Sequence, residues 1–264
     1  MVEIIMSTAL ITGASGGIGK AFAEELAKRN TNLVLVARSE EKLKELASQL
    51  QEQHKIQVDV IVQDLTEIGA SDAVFNATKE RGLTIDLLIN NAGFGDYGDF
   101  ADRDGERQVK IVQLNVLALV DLTHKFLPLM RQRRSGSIIN VASIAGFQPI
   151  PYISVYAASK AFVISFSHAL WAENRNYNVR ILVSCPGPTE TNFFTEAKFP
   201  PALANSASKI ASPETVVIDS LKALSRGEPI VVSGGIGSQL ITRLGRFIPR
   251  KTLVSLLEKQ FKAG

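Results

Sequence analysis

Tyr156 and Lys160 stand four positions apart in the stretch Tyr156-Ala157-Ala158-Ser159-Lys160, inside a pattern that predicts a helix over Ser154 to Asn174. At that spacing the two side chains lie one turn apart on one face. An ammonium within a few ångströms of a phenol favours the phenolate, so Lys160 is expected to pull the Tyr156 pKa down from about 10 toward the working pH. Tyr156 could then pass a proton to and from a substrate oxygen. The same pair also occurs on ordinary exposed amphipathic helices, so the chemistry needs a third group. Ser143 is thirteen positions upstream and directly follows Ser137 to Val141, which reads as a strand. At the carboxyl edge of an open α/β sheet, where ligands bind, its hydroxyl could hold a carbonyl while Tyr156 protonates it.

A second stretch with chemical potential is TALITGASGGIGK, Thr8 to Lys20. An apolar run breaks into a turn holding Gly13, Ser15, Gly16, Gly17, Ile18 and Gly19, then continues as a helix over Ile18 to Arg29. Such a turn aims several N–H groups and the positive end of a helix dipole at one spot, which suits a phosphate. A tight strand-to-helix turn with no ligand would look similar. Gly13-Ala14-Ser15-Gly16-Gly17 also satisfies the G-x-S-x-G elbow of serine hydrolases. That elbow needs an oxyanion loop from an earlier strand, and only a dozen residues precede Gly13. His54 lies in a polar run and His124 and His168 in helical patterns, so no histidine falls on a late loop.

The far end of a dinucleotide would be read after the second strand, where an acidic residue takes the ribose 2′-hydroxyl in dinucleotide-binding folds. Here that strand ends in Ala37, Arg38 and Ser39. A guanidinium without a competing carboxylate favours the 2′-phosphate, and hence NADP(H) over NAD(H). The alternative is a surface arginine with Ser39 capping the next helix. Asp64, with Leu65 beside it, ends the third strand and either accepts from the adenine amino group or caps a short turn.

The elements that must position these groups alternate from end to end. Strands are expected at Thr8–Ile11, Leu33–Ala37, Gln57–Gln63, Ile85–Ile89, Ser137–Val141, Val179–Ser184 and Ile230–Val232. Helices are expected at Glu40–Gln53, Ala70–Arg81 and Val109–Met130, besides the two already named. Repeated βαβ units imply a doubly wound parallel sheet with helices on both faces. The least regular segment, Pro186 to Ser212, is long enough to be a lid or binding loop, placed at about 188–212.

With these motifs in register, Thr12 to Gly19, Asn90-Asn91-Ala92-Gly93, Asn115, Ser143, Tyr156 with Lys160, and Pro186-Gly187, the chain resembles a short-chain dehydrogenase/reductase from Thr8 to about Thr191. The resemblance implies a Rossmann-type α/β fold with a seven-stranded sheet in a single domain over 1–264. It implies a tetrad of Asn115, Ser143, Tyr156 and Lys160, with Asn115 organising a water that connects Lys160 to solvent. It places Asn91, Ala92 and Gly93 on the ribose side of the cofactor and Tyr156 and Lys160 at the nicotinamide ribose. After Pro186 and Gly187 the family commonly has a hydrophobic residue, whereas this chain has Pro188-Thr189-Glu190-Thr191. Thr189 is expected to keep the backbone contact to the carboxamide and Thr191 a hydroxyl for carboxamide or phosphate. The expected activity is NADP(H)-dependent interconversion of a carbonyl and a secondary alcohol. A cofactor-binding sensor or scaffold without turnover, and an NAD-linked alcohol dehydrogenase, are the alternatives.

The aromatic and apolar residues Phe147, Ile150 and Tyr152, with Phe193, Phe194 and Phe199 on the lid, suggest an apolar pocket for a lipid-like, acyl or bulky ketone, or else loops packing on each other. The tail at about 240–264, with Arg243, Arg246, Arg250 and Lys251, is expected to present a solvated helix face rather than to touch a membrane surface. With 29 basic and 26 acidic residues in 264, the net charge of +3 gives no reason to expect nucleic acid as a partner. One cysteine, Cys185, forbids an internal disulfide, and three scattered histidines make no metal site. A cytoplasmic homodimer or homotetramer acting on a small molecule is the expectation. Met6 is a candidate start as well as Met1.

Overall fold

The computed structural model describes residues 8–205, 210–235 and 248–262. Met1, Met6, Arg243 and Arg246 lie outside the described residues, as does the part of the lid at 206–209. The expected alternation is present: β1 (Thr8–Thr12), α1 (Gly17–Lys28), β2 (Asn32–Ala37), α2 (Glu40–His54), β3 (Val58–Val62), α3 (Ala70–Glu80) and β4 (Leu87–Asn90). The chain continues through α4 (Gly105–Val112), a π-helical stretch (Gln113–Ala118), α5 (Leu119–Gln132) and β5 (Gly136–Val141). It ends with α6 (Ser154–Asn174), β6 (Val179–Pro186), the short α7 (Phe193–Glu196) and α8 (Pro201–Asn205), α9 (Pro213–Ser225), β7 (Ile230–Ser233) and α10 (Arg250–Phe261).

All seven strands pair in parallel, in the order β3-β2-β1-β4-β5-β6-β7. A parallel sheet is buried on both faces, and the sequence shows it by runs of consecutive apolar residues, as in Leu33 to Ala37 and Leu87 to Ile89, rather than by alternation. In β2, Leu33 and Leu35 face one layer with Phe22 and Leu26 of α1, Leu43 of α2 and Leu221 of α9. Val34 and Val36 face the other, with Val74 of α3, Leu122 and Phe126 of α5 and Leu170 of α6. Strand order reverses beside β1, since β2 and β3 lie on one side of it and β4 to β7 on the other. At such a switch point the loops above the carboxyl ends of β1 and β4 diverge and leave a crevice.

The long helix starts earlier than the expected Val109, because the Asp104 side chain accepts the Glu106 N–H and caps it. The irregular lid carries two short helices, α7 and α8. The tail departs from expectation more strongly: Leu253 and Leu257 of α10 are buried in a cluster with Tyr97, Ile150, Ile153 and Tyr156. One face of the tail helix is therefore a wall of the molecule and not a solvated face.

Candidate active site

The crevice is a cleft of about 1540 Å³. Single small-ligand sites run to roughly 300–1000 Å³, so this one has room for a dinucleotide and a substrate together. At its floor β1 turns into α1. Gly13 has φ +66, and a Cβ there would lie 2.9 Å from Ala92 Cα. A Cβ on Gly19 would lie 2.2 Å from the Gly13 carbonyl oxygen, so both glycines are needed for the helix to start this close to the sheet. The turn is tied to the end of β4: Thr12 Oγ1 accepts from the N–H groups of Asn91 at 2.9 Å and Ala92 at 3.0 Å, and Asn91 Nδ2 donates to Thr12 O at 2.9 Å. Asn91 lines the cleft while its side-chain amide holds the glycine turn in place.

Every cofactor residue expected from the sequence lines this cleft except Gly19, which is buried behind the turn. At one end stand Ser15, Arg38 and Ser39, and also Lys42, one helical turn beyond Arg38, which the sequence reasoning missed. Asp64 caps a short turn, the second of its two readings. Its Oδ1 accepts from the Thr66 N–H at 2.9 Å and hydroxyl at 2.8 Å, while Oδ2 lies 3.8 Å from Arg38 Nη1. Burial acts to raise the Asp64 pKa, but the Thr66 hydrogen bonds and the charges of Arg38 and Lys110 hold it below the usual carboxylate value.

At the other end Ser143, Tyr156 and Lys160 line the cleft together. Ser143 ends the β5 loop, and its Oγ caps a single 3-10 turn by accepting the Ala145 N–H at 3.1 Å. Lys160 is 4% exposed and donates from Nζ to Val141 O at 2.8 Å, with Nζ 5.8 Å from the centre of the Tyr156 ring. Asn115 does not line the cleft. It lies behind it in the π-helical stretch, bonded to both the N–H and the carbonyl of Phe94 at 3.1 Å and to Ser159 Oγ at 3.0 Å. Gly93 separates it from Lys160, since a Cβ there would be 3.0 Å from Asn115 Oδ1 and 3.3 Å from Lys160 Nζ.

The electrostatics correct one expectation. Burial pushes the Tyr156 pKa up to about 12, with a hydrogen bond to Ser143 working against it, rather than down as the lysine was expected to do. Burial likewise pushes Lys160 down to about 8. The reason is that both groups are enclosed, and enclosure disfavours the charged form of each. Beside them Cys185, fully buried in β6, is raised by burial to about 12 and stays a neutral thiol. At neutral pH the cleft thus presents a neutral phenol, a proton donor.

Above Tyr156 the cleft is apolar. Phe193 of α7 packs on the Tyr156 ring with centroids 5.0 Å apart, and Phe194, Phe199, Ile150 and Ile153 continue the wall. Tyr152 does not line it but packs against Tyr97, as the loop-packing alternative expected. The sequence reasoning missed Phe94 and the contribution of α10, whose Leu257, Gln260 and Phe261 line the mouth. The Tyr97 hydroxyl donates to the Phe261 carbonyl at 2.5 Å, fastening that helix to the loop after β4. The four-residue spacing of Leu253, Leu257 and Phe261 was the available signal.

The glycine cradle, the α1 N-terminus and the basic pair Arg38 and Lys42 form a site whose donors fit a dinucleotide with a terminal phosphate on its adenosine ribose. Among the described residues no group of His, Cys, Asp and Glu could hold a metal ion.

The family model described as short chain dehydrogenase matches residues 7–200. A very-long-chain 3-oxoacyl-CoA reductase of Bos taurus is 31% identical over 95% of this chain and 82% of its own. A short-chain dehydrogenase from Sphingobium yanoikuyae, solved in complex with NADPH, superposes with a TM-score of 0.82 at 31% identity, covering 94% of each chain. The bulky-bulky ketone specific alcohol dehydrogenase from Comamonas testosteroni does so with a TM-score of 0.79 at 32% identity, again over 94% of each.

Proposed function

The chain belongs to the short-chain dehydrogenase family and is an oxidoreductase, and from that premise we propose that it reduces a bulky or acyl ketone to a secondary alcohol with NADPH. The observation that carries this reading is the buried Tyr156 phenol lining the cleft together with Ser143 and Lys160, under the apolar wall of Phe193. Names borne by two of the relatives, a 3-oxoacyl-CoA reductase and a bulky-bulky ketone alcohol dehydrogenase, agree with the apolar wall. NADPH supplies the hydride, so that ketone, NADPH and one proton give alcohol and NADP⁺. Arg38, Lys42 and Ser39 hold the 2′-phosphate, and the Gly13 to Gly19 turn with the α1 N-terminus holds the pyrophosphate. Thr189, on the strap after β6, would meet the carboxamide through its backbone, and Thr191, whose side chain lies against Gly17, would offer its hydroxyl to the pyrophosphate.

The chain's own residues then manage the carbonyl oxygen. Ser143 donates a hydrogen bond to it, and Tyr156 passes its phenolic proton to it as negative charge develops. With a pKa raised to about 12 Tyr156 carries that proton at neutral pH, which suits the reductive direction. Lys160, charged below about pH 8, lies under the phenol, compensates the phenolate formed, and binds the ribose hydroxyls. Asn115 keeps the Phe94 backbone and Ser159 in register behind them. The phenylalanines of the lid exclude water.

A homodimer or homotetramer is proposed on the exposed apolar side chains Val109, Val112, Leu117 and Phe162 of the long helices, a face that would otherwise meet water. The test of the activity is a panel of aliphatic, aromatic and 3-oxoacyl ketones with NADPH oxidation followed by absorbance. Tyr156→Phe should abolish turnover while leaving the NADPH Kd within about twofold. Full activity in that variant would remove Tyr156 from the mechanism.

A further inference from the structure

One buried charge in this molecule is not used by the reaction just described. The side chain of Asp96 is fully enclosed, on the loop Gly93 to Gly98 that leaves β4 along the cleft. Its carboxylate accepts from Arg103 Nε at 2.7 Å and Nη2 at 2.8 Å, from Arg107 Nε at 2.8 Å and from Gln108 Nε2 at 2.8 Å. Burial acts to raise its pKa, but the hydrogen bonds and charges of Arg103 and Arg107 hold it below the usual range. A buried carboxylate this well provided with donors is a rigid fixture, costly to break and poor at adapting.

Two guanidiniums on one carboxylate leave a surplus of donors, and Arg107 directs its share toward the lid. Its Nη2 donates to Glu196 O at 2.8 Å, at the end of α7, and to Gly95 O at 3.2 Å. The next lid residue is held as well, because the Tyr97 N–H donates to Ala197 O at 2.8 Å. The guanidinium also lies over the Phe94 ring at 5.1 Å, and it is Phe94 whose backbone Asn115 grips. At the start of α7, Phe193 packs on Tyr156, and Gly95 is fitted between them: a Cβ there would be 3.1 Å from the Phe193 ring and 3.3 Å from the Tyr156 ring. The contacts close a ring from Asn115 through Phe94, Arg107, Glu196 and Phe193 to Tyr156.

We propose that Arg107, oriented by Asp96, is a positioning residue that clamps the lid helix so that Phe193 holds the substrate carbonyl over Tyr156. The inference rests on the reading of the cleft as a carbonyl-reducing site. Arginine suits the task because a planar fork serves the carboxylate with Nε and two carbonyls with Nη2, whereas the three donors of a lysine ammonium sit on one nitrogen and cannot span both positions.

The test is a double-mutant cycle on the full chain with NADPH and the best ketone from the panel. Arg107→Lys should lower kcat/KM about tenfold, mostly through KM, with the NADPH Kd within about twofold. In a Phe193→Ala background the same substitution should cost less than about twofold, because the group it positions is gone. An equal fall in both backgrounds, or a fall confined to kcat, overturns the proposal. Independently of turnover, amide hydrogen exchange of residues 193–199 should be at least about threefold faster in Arg107→Lys than in wild type, with exchange in the central strands unchanged. Equal exchange of that segment in the two proteins overturns it too. A wild type that turns over no ketone would instead refute the carbonyl-reducing reading, while the exchange result still decides whether the clamp holds the lid.

Discussion

Lys160 is expected to lower the stability of the protein that depends on it for activity, and the size of the effect follows from its surroundings. It is 4% exposed, its Nζ donates to Val141 O, and burial holds its pKa at about 8 instead of 10.5. The fall from 10.5 to about 8 corresponds to roughly 3 kcal/mol by which the folded state disfavours the charged form. Lys160→Met removes the penalty and gives up one hydrogen bond worth about 1 kcal/mol, leaving a net stabilisation of about 2 kcal/mol at neutral pH. For a chain of this size that raises Tm by about 4 °C or more. The sign of the pH dependence is fixed by proton counts. Between about pH 8 and 10.5 the unfolded chain binds the lysine proton and the folded one does not, so wild-type stability gains up to about 1.4 kcal/mol per pH unit from this group. Below about pH 8 both states bind it and the penalty is constant. The advantage of Lys160→Met should therefore be full at about pH 7 and shrink toward zero by about pH 10. Tyr156 and Cys185, both raised by burial, are present in both proteins and largely cancel in the difference. The assay is chemical or thermal unfolding of both proteins across that range, with ketone reduction measured in parallel and expected to be lost. A variant no more stable than wild type at about pH 7, or an advantage that does not change up to about pH 10, would refute the argument that an enclosed ammonium is being held at a cost.

Arg38→Ala should weaken NADPH about 10- to 100-fold and leave NADH within about twofold, by fluorescence titration; an unchanged NADPH Kd would mean that the 2′-phosphate is not read there. Gly19→Ala forces a methyl to 2.2 Å from the Gly13 oxygen and should cost about 2 kcal/mol or more in urea unfolding, with loss of cofactor binding. Asn140 is fully buried, accepts from Asn90 Nδ2 and donates to Ser167 Oγ, both at 2.9 Å, so Asn140→Leu should destabilise by about 2–4 kcal/mol by leaving Ser167 Oγ without its donor and one Asn90 N–H without its acceptor, the other still reaching Thr123. Tyr97→Phe removes the bond to the Phe261 carbonyl; trypsin should then cut at Arg250 and Lys251 several-fold faster, while global stability falls by only about 1 kcal/mol.

What could be read in the sequence was whatever depends on a few neighbouring residues. The alternation of apolar runs and amphipathic stretches placed all seven strands within two residues of their observed ends, because a strand buried on both faces leaves a nearly continuous apolar signal. The glycine turn was legible because backbone crowding at Gly13 and Gly19 admits no side chain. Tyr156 and Lys160 were legible because a four-residue spacing puts two groups on one helix face. Arg38 was found by its distance from the glycines, whereas Lys42, which needs only one further helical turn, was overlooked.

Tertiary structure alone decided the rest. Nothing in the spacing around Asn115 marks a π-helical stretch, which accompanies the grip of its amide on the backbone of Phe94, 21 residues away. Asp96 reads as one more loop carboxylate until Arg103, Arg107 and Gln108 close over it. The tail reads as a solvated basic helix until Leu253 and Leu257 meet the loops of the cleft. The pKa of Tyr156 is the sharpest case: proximity to Lys160 is a local fact and argues for a lowered value, but enclosure by Phe193, Gly95 and the sheet is not local, and it raises that value to about 12. The sequence determined which groups meet because covalent geometry and helical periodicity act over a turn or two. How strongly each is charged is set by desolvation, which depends on every chain segment folded over the site.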